Sequence, residues 1–138
     1  MKKFKLFLLV ILIALIFNLI WEFLHYQLYI DSSGITKVPH LILASLSDAL
    51  IILVFFIIIS LVHKSIKWIK KPSSLDYLLI ILFGLITATT IEIINLNLGR
   101  WAYRSIMPTI LGIGLSPLVQ LSITGILTAI LIKKYIIK

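Results

Sequence analysis

The sequence predicts an all-α integral membrane protein, a four-helix bundle running up-down-up-down with both termini in the cytoplasm. Three observations carry that expectation. The 138 residues are 61% hydrophobic and 13% charged, with a mean hydropathy of +1.16, far outside the range of a soluble globular domain. Four apolar stretches each reach the roughly 20 residues a spanning helix needs. Lysines gather at the ends of those stretches and fall mainly on one side.

The stretches run over about residues 6–30, 41–62, 75–97 and 109–132, a single transmembrane domain over 1–138. The start, "MKKFKLFLLVILIALIF", has the basic flank of a secretory signal. Its apolar run is too long for one, however, and no small-residue cleavage site follows, so it reads as a retained first helix. The segments "DSSGITKVPH", "HKSIKWIKKPSS" and "LGRWAYRSIMP" separate the helices with breakers and polar residues. Connections this short make sequential helices antiparallel neighbours, and in lipid an open sheet would leave backbone groups unsatisfied.

Orientation follows from the cations. Lys2, Lys3, Lys5, Lys64, Lys67, Lys70, Lys71, Lys133, Lys134 and Lys138 fall on one side, against Lys37, Arg100 and Arg104 on the other. The net charge of +8 is thereby explained by topology, and no nucleic-acid partner is expected. Trp68, Trp101, Tyr77 and Tyr103 fall near helix ends, where aromatic rings anchor at the headgroups. The absence of cysteine excludes disulfides, thiolate metal sites and cysteine nucleophiles.

Polar residues inside the spans form a layer. In "NLIWEFLHYQLY", Asn18, Glu22, His25 and Tyr29 repeat at i, i+4, i+7 and i+11, one narrow helical stripe. Ser45 and Asp48 share a face of the second helix; Thr89, Glu92 and Asn95 do so on the third, and Ser116, Gln120 and Thr124 on the fourth. Glu22 and Asp48 come to the same depth, about 10 Å below the outer end. Three of the five acidic residues thus meet in one layer. Charge at depth is costly and faces a cavity, a partner or a proton. Glu22, His25, Asp48 and Glu92 are therefore the candidate catalytic groups, and equally candidate ligands of a divalent metal ion. Each taken alone also fits a hydrogen-bonding strut between helices.

The stretch "NLNLGRWAYRSIMP" places Arg100 and Arg104 on the outer side, against the charge bias. A guanidinium grips phosphate or carboxylate through paired hydrogen bonds. Arg100, Arg104, Trp101, Tyr103, Asn95 and Gln120 are accordingly the candidate substrate-binding residues, the alternative being an interfacial anchor paired with Glu92 or Asp31. "GIGLSP" offers Gly112 and Ser116 in small-xxx-small spacing for close helix packing or a homo-oligomer contact. Pro117 is expected to kink the fourth helix beside Gln120.

The strings "WEFLHYQLY", "SDALIIL", "GRWAYRSIMP" and "GLSPLVQL" resemble those of small, functionally uncharacterised bacterial membrane proteins with four predicted spans, over most of the chain. That resemblance implies a bacterial cytoplasmic membrane and brings no activity. Neither an H-E-x-x-H zinc motif nor a Gly-x-Ser-x-Gly elbow is present, and a single Glu-x-x-His, at Glu22 and His25, falls short of a di-iron site. The expected function is binding or modification of a lipid-like anionic substrate at the polar layer. The alternatives are a proton- or cation-coupled transporter and a non-catalytic assembly subunit.

Overall fold

The computed structural model describes residues 3–31 and 34–137; Lys2 and Lys138 of the orientation count lie outside them. Four long helices, α1 (Lys3–His25), α2 (Val38–Val62), α3 (Ser74–Asn97) and α4 (Leu115–Ile137), form a bundle, and each is long and apolar enough to cross a membrane. Between them lie two 3-10 turns, Tyr26–Leu28 and Ile66–Lys70, and four two-residue strands: β1 (Tyr29–Ile30), β2 (Ala102–Tyr103), β3 (Thr109–Ile110) and β4 (Ile113–Gly114).

The surface is the inverse of a soluble protein's. Leu12, Ile16, Ile20, Leu50, Val54 and Ile86 are exposed, while Asn18, Ser45, Gln120, Thr124 and Thr128 are buried. Apolar residues outside and polar ones inside are stable where the surroundings are themselves apolar. Helical hydroxyls settle their own accounts: Ser45, Ser60, Thr124 and Thr128 each donate to the carbonyl four residues back.

Successive helices run antiparallel. Leu6 and Val10 near the start of α1 meet Phe56 and Ser60 near the end of α2, with Trp68 and Ile69 of the 3-10 turn beside them. That end is closed by polar contacts. Trp68 Nε1 donates to Ser60 Oγ at 2.9 Å, and α3 starts in a capping box of Ser73 and Asp76. The same buried Asp76 receives His63 Nε2 at 2.6 Å. Lys3, Lys5, Lys64, Lys67, Lys70, Lys71, Lys133 and Lys134 belong to helix ends and connections on this side, and Lys37, Arg100 and Arg104 to the other.

α3 packs on α4, α2 on α1 and α1 on α4, whereas α2 and α3 barely touch. The α3–α4 approach is close enough to need glycine: a Cβ on Gly84 would lie 2.6 Å from Ser122 N and 2.8 Å from Ser122 Cα. A Cβ on Gly125 would meet Ile80 Cγ2 at 2.8 Å. The small-residue crossing is therefore at Gly84 and Gly125, and not at Gly112 and Ser116 as the sequence spacing suggested. Gly112 has open space around it and a φ of +81°.

Two helix boundaries differ from the sequence expectation. α1 stops at His25 because the next residues unwind into β1, which pairs antiparallel with β2 in the register Tyr29 to Tyr103 and Ile30 to Ala102. α4 starts at Leu115 because 109–114 forms a β3–β4 hairpin, with Leu111 and Gly112 at its tip at φ +52° and +81°, the positive values a two-residue turn demands. The late start also removes the expected kink. Pro117 stands in the first turn of α4, where an N–H has no intrahelical acceptor and its loss is harmless.

Replacing Gly84 by Ala forces backbone apart at Ser122 and should cost about 1–3 kcal/mol, the usual range for overpacking. Thermal unfolding in mild detergent should show a clearly lowered midpoint for Gly84→Ala and little change for Leu12→Ala, whose side chain is exposed. An unaltered midpoint for Gly84→Ala would mean that α3 and α4 do not approach this closely.

Candidate functional site

The polar stripe of α1, the Asp48 face of α2 and the Gln120 face of α4 converge on one side-chain amide. Gln120 Nε2 lies 3.1 Å from Asn18 Oδ1, 2.9 Å from Glu22 Oε1 and 2.8 Å from Asp48 Oδ2. An amide nitrogen has two hydrogens for these three oxygens. Thr124 Oγ1 lies 3.3 Å from Asn18 Oδ1 while its one hydrogen is closer to Gln120 O at 2.8 Å, and Asn18 Nδ2 donates back to Ala14 O at 2.9 Å. No described buried side-chain N or O atom lacks a partner.

His25 continues the network toward the bundle end. Its Nε2 lies 3.3 Å from Glu22 Oε2 and its Nδ1 2.8 Å from Ser116 Oγ, which also accepts from Trp21 Nε1 at 3.2 Å. The ring packs edge-on against Trp21 and Tyr29. Tyr29 in turn packs on Trp101 and Tyr103, so the unwound end of α1 is sealed by aromatic rings from the segment after α3.

That segment also holds Glu92. Trp101 Nε1 donates to Glu92 Oε2 at 3.2 Å, and Tyr103 Oη donates to the same oxygen. Burial raises the Tyr29 phenol well above its ordinary range, and burial followed by the Glu92 hydrogen bond does the same for Tyr103. Both are therefore neutral rings, and Tyr103 is a permanent donor to Glu92.

Beside this network lies a cavity of about 270 Å³. Glu22, His25, Asp48, Glu92 and Gln120 line it, with Trp101, Tyr26 and Tyr29 toward the bundle end and Leu41, Ala44, Ile51, Ala88 and Ile91 as apolar walls. Its lining reaches Leu43 and Ser47 on the exposed side of α2. The lining takes in residues of both α2 and α3, which hardly touch each other.

Six of the ten residues singled out from sequence thus line one cavity, and four do not. Asn95 accepts from Arg100 Nη1 at 3.1 Å and donates to Ile91 O at 2.7 Å, which ties down the end of α3. Arg104 gives its main-chain N to Leu28 O at 2.9 Å and its Nε to Tyr29 O at 3.1 Å. Arg104 thereby caps the carbonyls freed where α1 unwinds, instead of pairing with Glu92 or Asp31. Asp31 is held below the usual carboxylate range first by a hydrogen bond from the Thr36 side chain. Tyr103 supports Glu92 from outside the lining.

The expected metal tetrad divides for a physical reason. The Gln120 amide bonds both Glu22 and Asp48, and Glu92 is committed to two aromatic donors. Among the described residues no group of three or more His, Asp or Glu converges to hold a metal ion. Sequence reasoning passed over His40, which lines the cavity, and over the Trp21–Ser116–His25 contact. Trp21 had a readable signal, since it stands four residues before His25, one turn along the same helix.

Replacing Gln120 by Leu takes one donor away from Asn18, Glu22 and Asp48. Interhelical hydrogen bonds in membranes average about 0.6 kcal/mol with a maximum near 1.7, so a loss of about 1–3 kcal/mol is expected, read as a lowered unfolding midpoint. Asp48→Asn in the same background should recover part of it, because an amide at that position can itself donate to the neighbouring oxygens. No recovery would mean that the two side chains do not interact. Compared with protein families, with curated proteins and with solved structures, the chain finds no match.

Proposed function

We propose that this is an integral membrane protein whose cavity binds the polar end of a lipid-like amphiphile, with both termini on the cytoplasmic side and the cavity in the outer half of the bilayer. The observation that carries the reading is the cavity itself. It has apolar walls on α2 and α3, the carboxyl groups of Glu22, Asp48 and Glu92, the His25 imidazole and the Gln120 amide in its lining, and it borders the seam where α2 and α3 barely touch. Such a site serves a molecule that is apolar along most of its length and polar at one end.

Size narrows the occupant. A volume of about 270 Å³ equals that of roughly nine liquid waters, enough for a head and its first methylenes but not for a whole lipid. The chain of the amphiphile would lie in the α2–α3 seam against the bilayer. The electrostatics argue against a strongly anionic head, because the lining brings three carboxyl groups and neither arginine. The polar end is better matched by hydroxyl, amine or ester groups. The orientation rests on the cation asymmetry between the two bundle ends.

Native mass spectrometry of the protein released from mild detergent tests the binding. Wild type should carry a co-purified amphiphile, and Ala44→Trp, which fills the cavity from its α2 wall, should lose it. An equal adduct on both proteins would contradict a ligand in this cavity. Orientation has its own test in a chain free of cysteine. A cysteine at Ser105 should react with an impermeant maleimide on intact cells and one at Lys70 should not; the reverse pattern would invert the topology.

A further inference from the structure

His25 stands between a hydroxyl and a carboxyl. Its Nδ1 is 2.8 Å from Ser116 Oγ and its Nε2 3.3 Å from Glu22 Oε2. Proton positions follow from what each atom can do. The Trp21 indole can only donate, and it donates to Ser116 Oγ at 3.2 Å. Glu22 Oε2 faces His25 Nε2 at 3.3 Å, and a carboxylate placed there accepts from Nε2, which puts the proton of a neutral imidazole on that nitrogen. That leaves Nδ1 bare, and the hydrogen of Ser116 fills it. Gln120 holds the other Glu22 oxygen at 2.9 Å, which keeps the carboxylate in place.

Hydroxyl, imidazole and carboxylate joined in this order form a nucleophile, its base and the group that sets the tautomer of the base. Two features of the surroundings fit that role. Ser116 is half-buried beside His25 and Pro117, two residues of the cavity lining, and it stands in the first turn of α4, where the helix dipole favours a developing negative oxygen. Such constellations are recognised by geometry and not by sequence order, and this one carries no elbow motif.

We infer that Ser116 is a nucleophile, with His25 its general base and Glu22 a positioning residue, acting on the carboxylic ester of a membrane amphiphile. The substrate rests on the amphiphile reading above; the nucleophile does not. A neutral ester suits a site whose carboxyl groups would repel a phosphoanhydride. In the first step Ser116 Oγ bonds to the ester carbonyl carbon as its proton passes to His25 Nδ1. The carbon–oxygen bond to the alcohol breaks, and the alcohol takes that proton. In the second step water adds to the acyl-serine, gives a proton to Nδ1, and the carboxylic acid leaves as Ser116 recovers its hydrogen.

The test is labelling by a fluorophosphonate carrying a decyl chain, with the full chain in lipid nanodiscs, read by intact mass and by mapping the modified peptide. The expected result is a single adduct on Ser116 in wild type and none in Ser116→Ala. Glu22→Gln, which can still accept from Nε2, should label more slowly with a displaced midpoint in its pH–rate profile, a change that a purely structural Glu22 would not produce. Folded wild-type protein that labels elsewhere or not at all overturns the nucleophile. If that protein still carries its co-purified amphiphile, the cavity reading survives; labelling at Ser116 without any bound amphiphile supports the nucleophile and removes the cavity reading instead.

Discussion

Gln120 places two amide hydrogens among oxygens from Asn18, Glu22 and Asp48, and the relative heights of α1, α2 and α4 follow from that meeting. Four helices built mainly of Ile, Leu and Phe can slide past one another at little cost, since apolar contacts are much alike at every register. A buried amide with carboxyl partners has far fewer acceptable positions, because shifting one helix by a turn leaves charged or polar groups facing hydrocarbon. The same constraint accounts for the polar stripe on α1 and for Thr124 and Asn18 at its lower edge.

The second organising contact lies at the end of the bundle, where α1 gives up its helix. Arg104 takes the carbonyls of Leu28 and Tyr29, and β1 pairs with β2. The rings of Tyr29, Trp101 and Tyr103 then close over His25 and Glu92. Helix breaking here has a purpose, because it brings indole and phenol donors to a carboxyl that α3 alone would leave unpaired. The cavity lies beside it, lined from all four helices. The network and the cavity are two sides of one arrangement.

Much of this was legible in the sequence and some was not, for reasons that differ by residue. The stripe Asn18, Glu22, His25 was readable because helical periodicity alone puts those residues on one face. Its meeting with Asp48 and Gln120 was readable because depth can be counted from helix ends. The arginines misled, since an exposed cation against the charge bias points equally to ligand capture and to capping of free carbonyls. Only the unwinding of α1 decides between them. Pro117 and Gly112 misled together: both were assigned to the interior of a helix that starts after a hairpin, and two-residue strands leave no periodic trace. The glycines that matter for packing, Gly84 and Gly125, do not share one helix, so no spacing rule within a single stretch could pair them. The contact of Ser116 with His25 joins residues far apart in the chain and has no local signature.

The claim on which the account depends is that Gln120 donates to carboxyl groups of two other helices inside the bundle. Solid-state NMR dipolar recoupling in lipid bilayers measures it directly, between side-chain ¹⁵N of glutamine and carboxyl ¹³C of aspartate. The sample is a Gln27→Ser chain, which leaves Gln120 as its one glutamine. The account predicts strong dephasing consistent with the 2.8 Å contact between Gln120 Nε2 and Asp48 Oδ2, lost in Asp48→Asn made without labelled asparagine. Absence of dephasing in folded protein would contradict it.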